Sequence, residues 1–256
     1  DLLPLRKNMQ MIFQNPYGSF DPKQKIGAAL REVAKVPRVI VFGGRGVHLQ
    51  NLLDAVEEHG EYIGVNAPAS GVYQNDYHCI HMGYGVDATV QAPTILGEAG
   101  IPVFLLGKAA DVIANPKGES DSIVDTGEVL ERLRALVEAH SQGFFCANVQ
   151  ETDLCGHRED APEYARKLEI ADRGIAELLP VLAPEDRLVV MADHGNDPTI
   201  GHPHHTREMV PLLLYGAEGP RELGTRTTLS DVGATALAYF DAPPPENGQS
   251  FLSLIR

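Results

Sequence analysis

Cysteine is scarce in this chain: 256 residues contain only Cys79, Cys146 and Cys155. None forms a CxxC pair, which argues against a zinc ribbon or a disulfide framework and suits a reducing cytoplasm. No apolar run approaches the roughly 20 residues that a membrane-spanning helix needs. Glycine and proline are spread rather than clustered, so there is no low-complexity stretch. Positive charge is also short, with 21 Lys and Arg against 35 Asp and Glu for a net charge of -14. That balance disfavours nucleic acid or an anionic membrane as the main partner. It leaves an anionic small substrate open, because bound divalent cations would reverse the local field.

Short apolar runs alternate with helical periodicity, a pattern that predicts an α/β fold with a largely parallel sheet. "RVIVFGG" (38–44) reads as a buried strand. "VHLQNLLDAVEEHG" reads as a helix with Leu49, Leu52, Leu53 and Val56 on one face and Gly60 as its stop. "EYIGVNA" reads as a second strand. The stretch from Ser70 to Pro93 has no period and reads as a long loop or crossover, the kind of segment that marks function or a domain boundary. After it come a helix ending at Gly100, a strand "IPVFLLGK", and a helix "GEVLERLRALVEAH" with Leu130, Leu133 and Val137 inward. The strand "GFFCANV" follows. The next helix starts near Asp160, signalled by an Asp cap, Pro162 in the first turn and Glu163 three residues on. Its expected apolar stripe is Tyr164, Leu168, Ala171, Ile175 and Leu178. "RLVVMA" and "MVPLLLYG" read as strands, and "LSDVGATALAYF" as a last helix capped by Ser230.

Two polar segments each follow the carboxyl end of a predicted strand, where ligand-bearing loops gather in open α/β sheets. In "QETDLCGHRED" (150–160), Asp153 and His157 are four apart in what reads as a glycine-containing turn. In "MADHGNDPTIGHPHHTRE" (191–208), Asp193 and His194 are adjacent, and His205 lies beyond a Gly/Pro-rich loop that can return it to the strand ends. One Asp-His pair after a strand is ordinarily a cap beside a surface histidine. Two such segments with a third histidine point instead to bound cations, because several carboxylates are not desolvated together without compensation. Oxygen and nitrogen donors without cysteine pairs suit Mn, Zn, Mg or Fe(II). His202 and His204 read as solvated loop residues, and Cys155 as a small buried thiol rather than a soft ligand.

"MADHGNDPT", "HHTREMVPLLLYG" and "GHREDAPEYARKLEIADR" resemble segments of phosphopentomutases, members of the alkaline phosphatase-like metalloenzyme superfamily. "APTILGEAGIPVFLLGKAADV" and "LGTRTTLSDVGATALAYF...NGQSFL" are similar to the same family. The resemblance implies an alkaline phosphatase-like core with part of an α/β cap. Residues 1–88 would be the partial cap, and residues 89–256 the C-terminal part of the core. It also implies two divalent metal ions, with manganese the expected metal. Asp153, His157 and His205 would hold one ion, and Asp193 and His194 would contribute to the other. The implied activity is a phosphomutase isomerising a small phosphorylated sugar by intramolecular transfer through a Ser or Thr.

The family's remaining metal ligand, an Asp on the first core strand, and its nucleophilic hydroxyl find no counterpart here. The chain opens at "DLLPLRKN" with no initiator Met or signal peptide, and reads as the C-terminal portion of a longer enzyme, inactive by itself. Thr199 and Thr206 are available hydroxyls that the family pattern does not support as nucleophile. Lys108 is a candidate phosphate contact; Asp76 and His81, with His78, are further substrate-site candidates. Phosphopentomutases space their first Asp and His one residue wider than Asp153 and His157. The shorter spacing is similar to cofactor-independent phosphoglycerate mutases. "GVYQNDY" also lacks the arginine that clamps substrate phosphate in that family, and such a bidentate clamp is not freely exchanged. A metal-dependent phosphatase, a phosphoglycerate-type mutase and a non-catalytic metal-binding fragment are the alternatives. "LRKNMQMIFQNPYGSFDP" resembles the Gln-containing loop of ABC transporter ATPases, with Gln14 as the sensing residue. No GxxxxGK[ST] loop or LSGGQ-like signature accompanies it, so it reads as a strand and turn.

Overall fold

The structure is a computed structural model. It describes residues 38–59, 62–75, 78–83, 87–216 and 219–255, with 38–43, 59, 62–63 and 78–83 in backbone only. The ATPase-like segment with Gln14, and Asp76, lie outside the described residues; His78 and His81 are described in backbone alone. The chain divides into two compact units, Asp1–Val86 and Asp87–Arg256.

In the first unit, β1 (Arg38–Gly43) pairs antiparallel with β4 (His78–Gly83). β4 falls in the stretch expected to be a loop. Its partner strand supplies the hydrogen bonds, and nothing in its local sequence announces them. The helix expected to run to Gly60 is also shorter. It stops as α1 (Leu49–Asp54), and Val56–His59 forms β2, a hairpin with β3 (Tyr62–Val65). Hairpin pairing outweighs the modest helix propensity of "VEEH". Of the four residues expected on the apolar face of that helix, Leu52 alone is buried, while Leu49, Leu53 and Val56 are exposed.

The second unit opens with α2 (Ala92–Glu98), which Gly100 ends in the left-handed region at φ 81°. β5 (Val103–Gly107), α3 (Lys108–Val112), the short β6 (Glu119–Asp121), α4 (Thr126–Ala139) and β7 (Phe144–Asn148) follow. Next come α5 (Glu151–His157), α6 (Ala161–Leu178), β8 (Leu188–Met191), β9 (Leu212–Tyr215) and α7 (Ser230–Tyr239). The strands β6-β5-β7 form a parallel sheet, and β8 pairs antiparallel with β9.

Strand alternation on β5 explains the layering. Phe104 and Leu106 point to one face, where Val129, Leu130, Leu133 and Leu136 of α4 and Leu178 of α6 close over them. Val103 and Leu105 point to the other face, against Leu96 of α2 and Leu237 of α7. Every residue of β5 is buried, and each of the side chains of Val103, Phe104, Leu105 and Leu106 contributes about 1.5–3 kcal/mol on leaving water. The start at Asp160 follows the predicted chemistry, and Asp125 caps α4 in the same way. Asp125 accepts from the amides of Gly127 and Glu128, and Asp160 from that of Glu163.

Two details differ from expectation. On α6, Leu168 is exposed, and the buried position beside it is Lys167, whose ammonium is paired with Glu151 at 2.7 Å. On α7, Ser230 is the first helical residue and makes no side-chain cap. The order there comes from Asp231, which accepts from the Gln249 amide and the Arg226 guanidinium, both at 2.8 Å, and so docks the C-terminal segment.

Candidate metal centre

Both polar segments leave the ends of apolar strands on the same side of the second unit. After β7 the chain turns directly into α5, so Asp153 and His157 lie on a helix rather than in a glycine turn. Their spacing of four places them on one helical face, with His157 Nε2 3.3 Å from Asp153 Oδ1. Gly156 serves a different purpose. A Cβ there would sit 2.3 Å from the side chain of Asn196. Its absence lets Asn196 donate to Asp153 Oδ1 at 2.8 Å and to the Asp153 carbonyl at 3.1 Å.

The base of α5 is fixed by a half-buried ion pair. Glu151 Oε2 accepts from the amide and hydroxyl of Thr126 at the start of α4, and from Lys167 of α6. Three elements therefore converge on one carboxylate two residues before Asp153.

The second loop is returned by an isolated antiparallel bridge between Gly195 and Thr206, whose amide donates to the Gly195 carbonyl at 2.9 Å. The residues flanking that bridge are His194 and His205, and pairing brings their rings into a stack 3.7 Å apart at 16°. His205 Nε2 lies 3.1 Å from both Asp153 Oδ1 and His157 Nε2. His194 Nε2 is 3.8 Å from Asp153 Oδ1 and 3.7 Å from Asp193 Oδ2. Asp193 is the most open of the five, with 59% of its side chain exposed.

Tautomers follow from the outer hydrogen bonds. His157 Nδ1 is 2.6 Å from the Pro203 carbonyl, which can only accept, so Nδ1 carries a proton and Nε2 is turned toward Asp153. His194 Nδ1 is likewise 3.2 Å from the Gly195 carbonyl. Burial lowers the pKa of His205, and neighbouring His194 lowers it further, which favours the neutral imidazole that metals require. Burial of Asp153 works against its ionisation. The hydrogen bond from Asn196, with His157, Lys108 and His205, outweighs this and holds its carboxyl below the usual value.

The donor set fits a divalent cation. One oxygen and two nitrogens lie 3.1–3.3 Å from one another. Donors bound at about 2.0–2.2 Å to one ion stand roughly 3.0–3.5 Å apart along the edges of an octahedron or tetrahedron.

Beside this cluster lies a cleft lined by Lys108, Asn148, Thr152, Asp153, Tyr164 and Asp193, among others. Lys108 Nζ is 3.4 Å from Asp153 Oδ2. The side-chain oxygen of Asn148 is buried there without a hydrogen-bond partner. Burial raises the Tyr164 phenol, reinforced by Asp197 and Asp153. His202 and His204 stay in the exposed loop, and Cys155 is fully buried with its thiol pushed up by burial. The hydroxyls of Thr199 and Thr206 are engaged elsewhere, with Asp197 and Glu208.

The family profile described as the metalloenzyme superfamily matches residues 47–244. The chain belongs to the metalloenzyme superfamily. Within it, the chain is 42% identical over 162 residues to a phosphopentomutase of Anaeromyxobacter sp. (strain K), covering 62% of this chain and 41% of that protein. It is 40% identical over 172 residues to the phosphopentomutase of Herpetosiphon aurantiacus, covering 64% and 44%. The chain thus spans less than half the length of these curated relatives. A phosphoglycerate mutase structure from Leishmania mexicana aligns with a TM-score of 0.48 at 18% identity, over 62% of this chain and 38% of that one.

Sequence reasoning missed the supporting residues of this superfamily member. Asn196 stood inside the quoted "DHGND" motif, but its side chain has no partner within its own segment. Glu151 and Lys167 are polar residues on helices, and the pair they form spans two elements. The apolar stripe from Tyr164 through Leu168 to Leu178 is unbroken and gave no signal that Lys167 is buried.

Proposed function

We propose that this chain supplies the metal-binding loops of a phosphomutase acting on a small phosphorylated sugar, a pentose phosphate in the leading case. The observation that carries the reading is the triangle of Asp153, His157 and His205. Support comes from about 40% identity to phosphopentomutases.

In this reading Asp153, His157 and His205 hold one divalent cation. Asp193 and His194 contribute to a second, and both ions are manganese. Bound cations of this kind polarise phosphate oxygens and lower the pKa of a hydroxyl nucleophile. This chain's own residues orient those donors: Asn196 fixes the Asp153 carboxylate, and the Pro203 carbonyl fixes the His157 ring. Lys108, whose ammonium enters the cleft, contacts substrate phosphate. Asp76 and His81 remain proposed substrate contacts. Residues 1–88 are part of a cap domain and residues 89–256 the C-terminal part of the core domain, and the hydroxyl that carries the phosphoryl group comes from outside these 256 residues. The enzyme works in the cytoplasm.

Metal analysis of the wild type beside Asp153→Ala and Asp193→Ala tests the reading. The expected result is bound manganese in the wild type, with a different share lost in each variant and the Asp193 centre the weaker. A wild type that binds no divalent metal overturns it. Product analysis on a pentose 1-phosphate, with the intact enzyme, separates a mutase, which relocates phosphate, from a phosphatase, which frees it. Turnover by the 256-residue chain at an intact enzyme's rate would place the nucleophile among its own residues.

A further inference from the structure

The turn that leads into His205 carries two further imidazoles that the metal centre does not use. His202 and His204 are both exposed, and neither belongs to the triangle of Asp153, His157 and His205. Their ring centres stand 5.6 Å apart with the planes inclined by 32°. Two imidazoles bound to one tetrahedral ion through nitrogens at about 2.0 Å place their ring centres roughly 5–5.5 Å apart. The pair therefore stands close to a chelating separation.

One ring also presents a usable nitrogen. The His204 amide donates to His202 Nδ1 at 3.3 Å. That nitrogen keeps its lone pair and turns it toward the residue bearing the second ring. The bond is long for an N–H donor, so an ion displaces it at small cost. Backbone contacts hold the turn in two places. The Pro203 carbonyl, between the two histidines, meets His157 Nδ1 at 2.6 Å. Just past His205, the Thr206 amide donates to the Gly195 carbonyl at 2.9 Å. A turn restrained at its middle and its end has less freedom to lose when its side chains take a ligand.

We propose that His202 and His204 form a separate, exterior cation site for ions that favour nitrogen donors, namely zinc, nickel or copper(II). The pair offers no side-chain oxygen, so magnesium and calcium are poorly served. Manganese, at the weak end of the divalent series, fills it least among the transition ions. No third His, Cys, Asp or Glu donor completes the set among the described residues, and water takes the remaining positions. An ion held there neighbours the metal centre through Pro203 without sharing a ligand with it.

Equilibrium dialysis of the 256-residue chain against zinc tests the proposal, beside His202→Asn, His204→Asn and the double variant. Asparagine at 202 keeps a side-chain acceptor for the His204 amide, both positions are exposed, and circular dichroism checks the fold. Each single change is expected to weaken the same equivalent of zinc about tenfold or more, because the second imidazole on the turn binds intramolecularly. The double change should add little to either single one. Unchanged zinc binding in either single variant overturns the proposal. So does the loss of a different, weak equivalent with each variant, which shows adventitious zinc on independent histidines. Asp153→Ala should leave this equivalent in place. Its loss there assigns the ion to the metal centre and overturns a separate site. Retention of every equivalent by Asp153→Ala counts against the metal reading alone.

Discussion

Asn196 donates one hydrogen bond to the Asp153 carboxylate at 2.8 Å and another to the Asp153 carbonyl at 3.1 Å, from a loop 43 positions away. This single amide locks the carboxylate that faces three imidazoles. It also makes the loop after β8 and the helix after β7 one structural unit.

Replacing Asn196 by Ala leaves the Asp153 side chain free to rotate while keeping every metal donor. Outer partners of this kind are worth about 10–100-fold in metal affinity. A loss in that range is expected for manganese by calorimetric titration, with the far-ultraviolet circular dichroism unchanged. An affinity equal to wild type would show that Asn196 does not orient the ligand.

Gly156→Ala places a methyl group 2.3 Å from the Asn196 side chain, which must move. Overpacking costs about 1–3 kcal/mol, read as a lower midpoint in urea. The diagnostic measurement is the double variant with Asn196→Ala. Its destabilisation should fall short of the sum of the two single changes, because the clash and the bond share one side chain. Strict additivity would place the cost of the methyl elsewhere.

Lys167 is 8% exposed and its partner Glu151 19%. Glu151→Ala leaves that buried ammonium with only the more distant Glu163 carboxylate, at 3.9 Å, and strips the Thr126 amide of its acceptor. A loss of about 3–5 kcal/mol is expected from breaking such a pair. Lys167→Met should cost distinctly less, since the methionine fills the site without charge. Denaturation of both variants checks the order, and the reverse order rejects this account.

The backbone hydrogen bond from Gln249, aided by Arg226, holds the Asp231 carboxyl below its ordinary value. The folded state therefore binds this proton less readily than the unfolded chain. The stabilisation is fully present above the unfolded value near 3.9 and is lost as pH falls through the lower folded value. Asp231→Asn should be less stable at neutral pH and should lose less of its stability between about pH 4 and pH 2. Parallel acid-denaturation curves for the two proteins would contradict this.

Several elements could be read without coordinates because their signals are local. Asp160, Pro162 and Glu163 start α6 through contacts within one turn, and Gly100 ends α2 by its own backbone freedom. The apolar run of β5 needed no partner to be recognised as buried. β4 and β2 were missed for the opposite reason, since each is a strand only because another strand pairs with it. Leu168 was misjudged because periodicity cannot show that a lysine beside it has a half-buried carboxylate waiting.

The sequence by itself determined the residue types of the candidate site and their placement after apolar strands. Acidic and imidazole groups in such density announce their chemistry wherever they fold. Tertiary structure alone decided that Asp153, His157 and His205 meet within 3.3 Å while Asp193 stays open. It also decided that Asn196 and the Gly195–Thr206 bridge bring the two loops together. Distances between segments depend on backbone pairing and on close approach across the fold, which no run of neighbouring residues encodes.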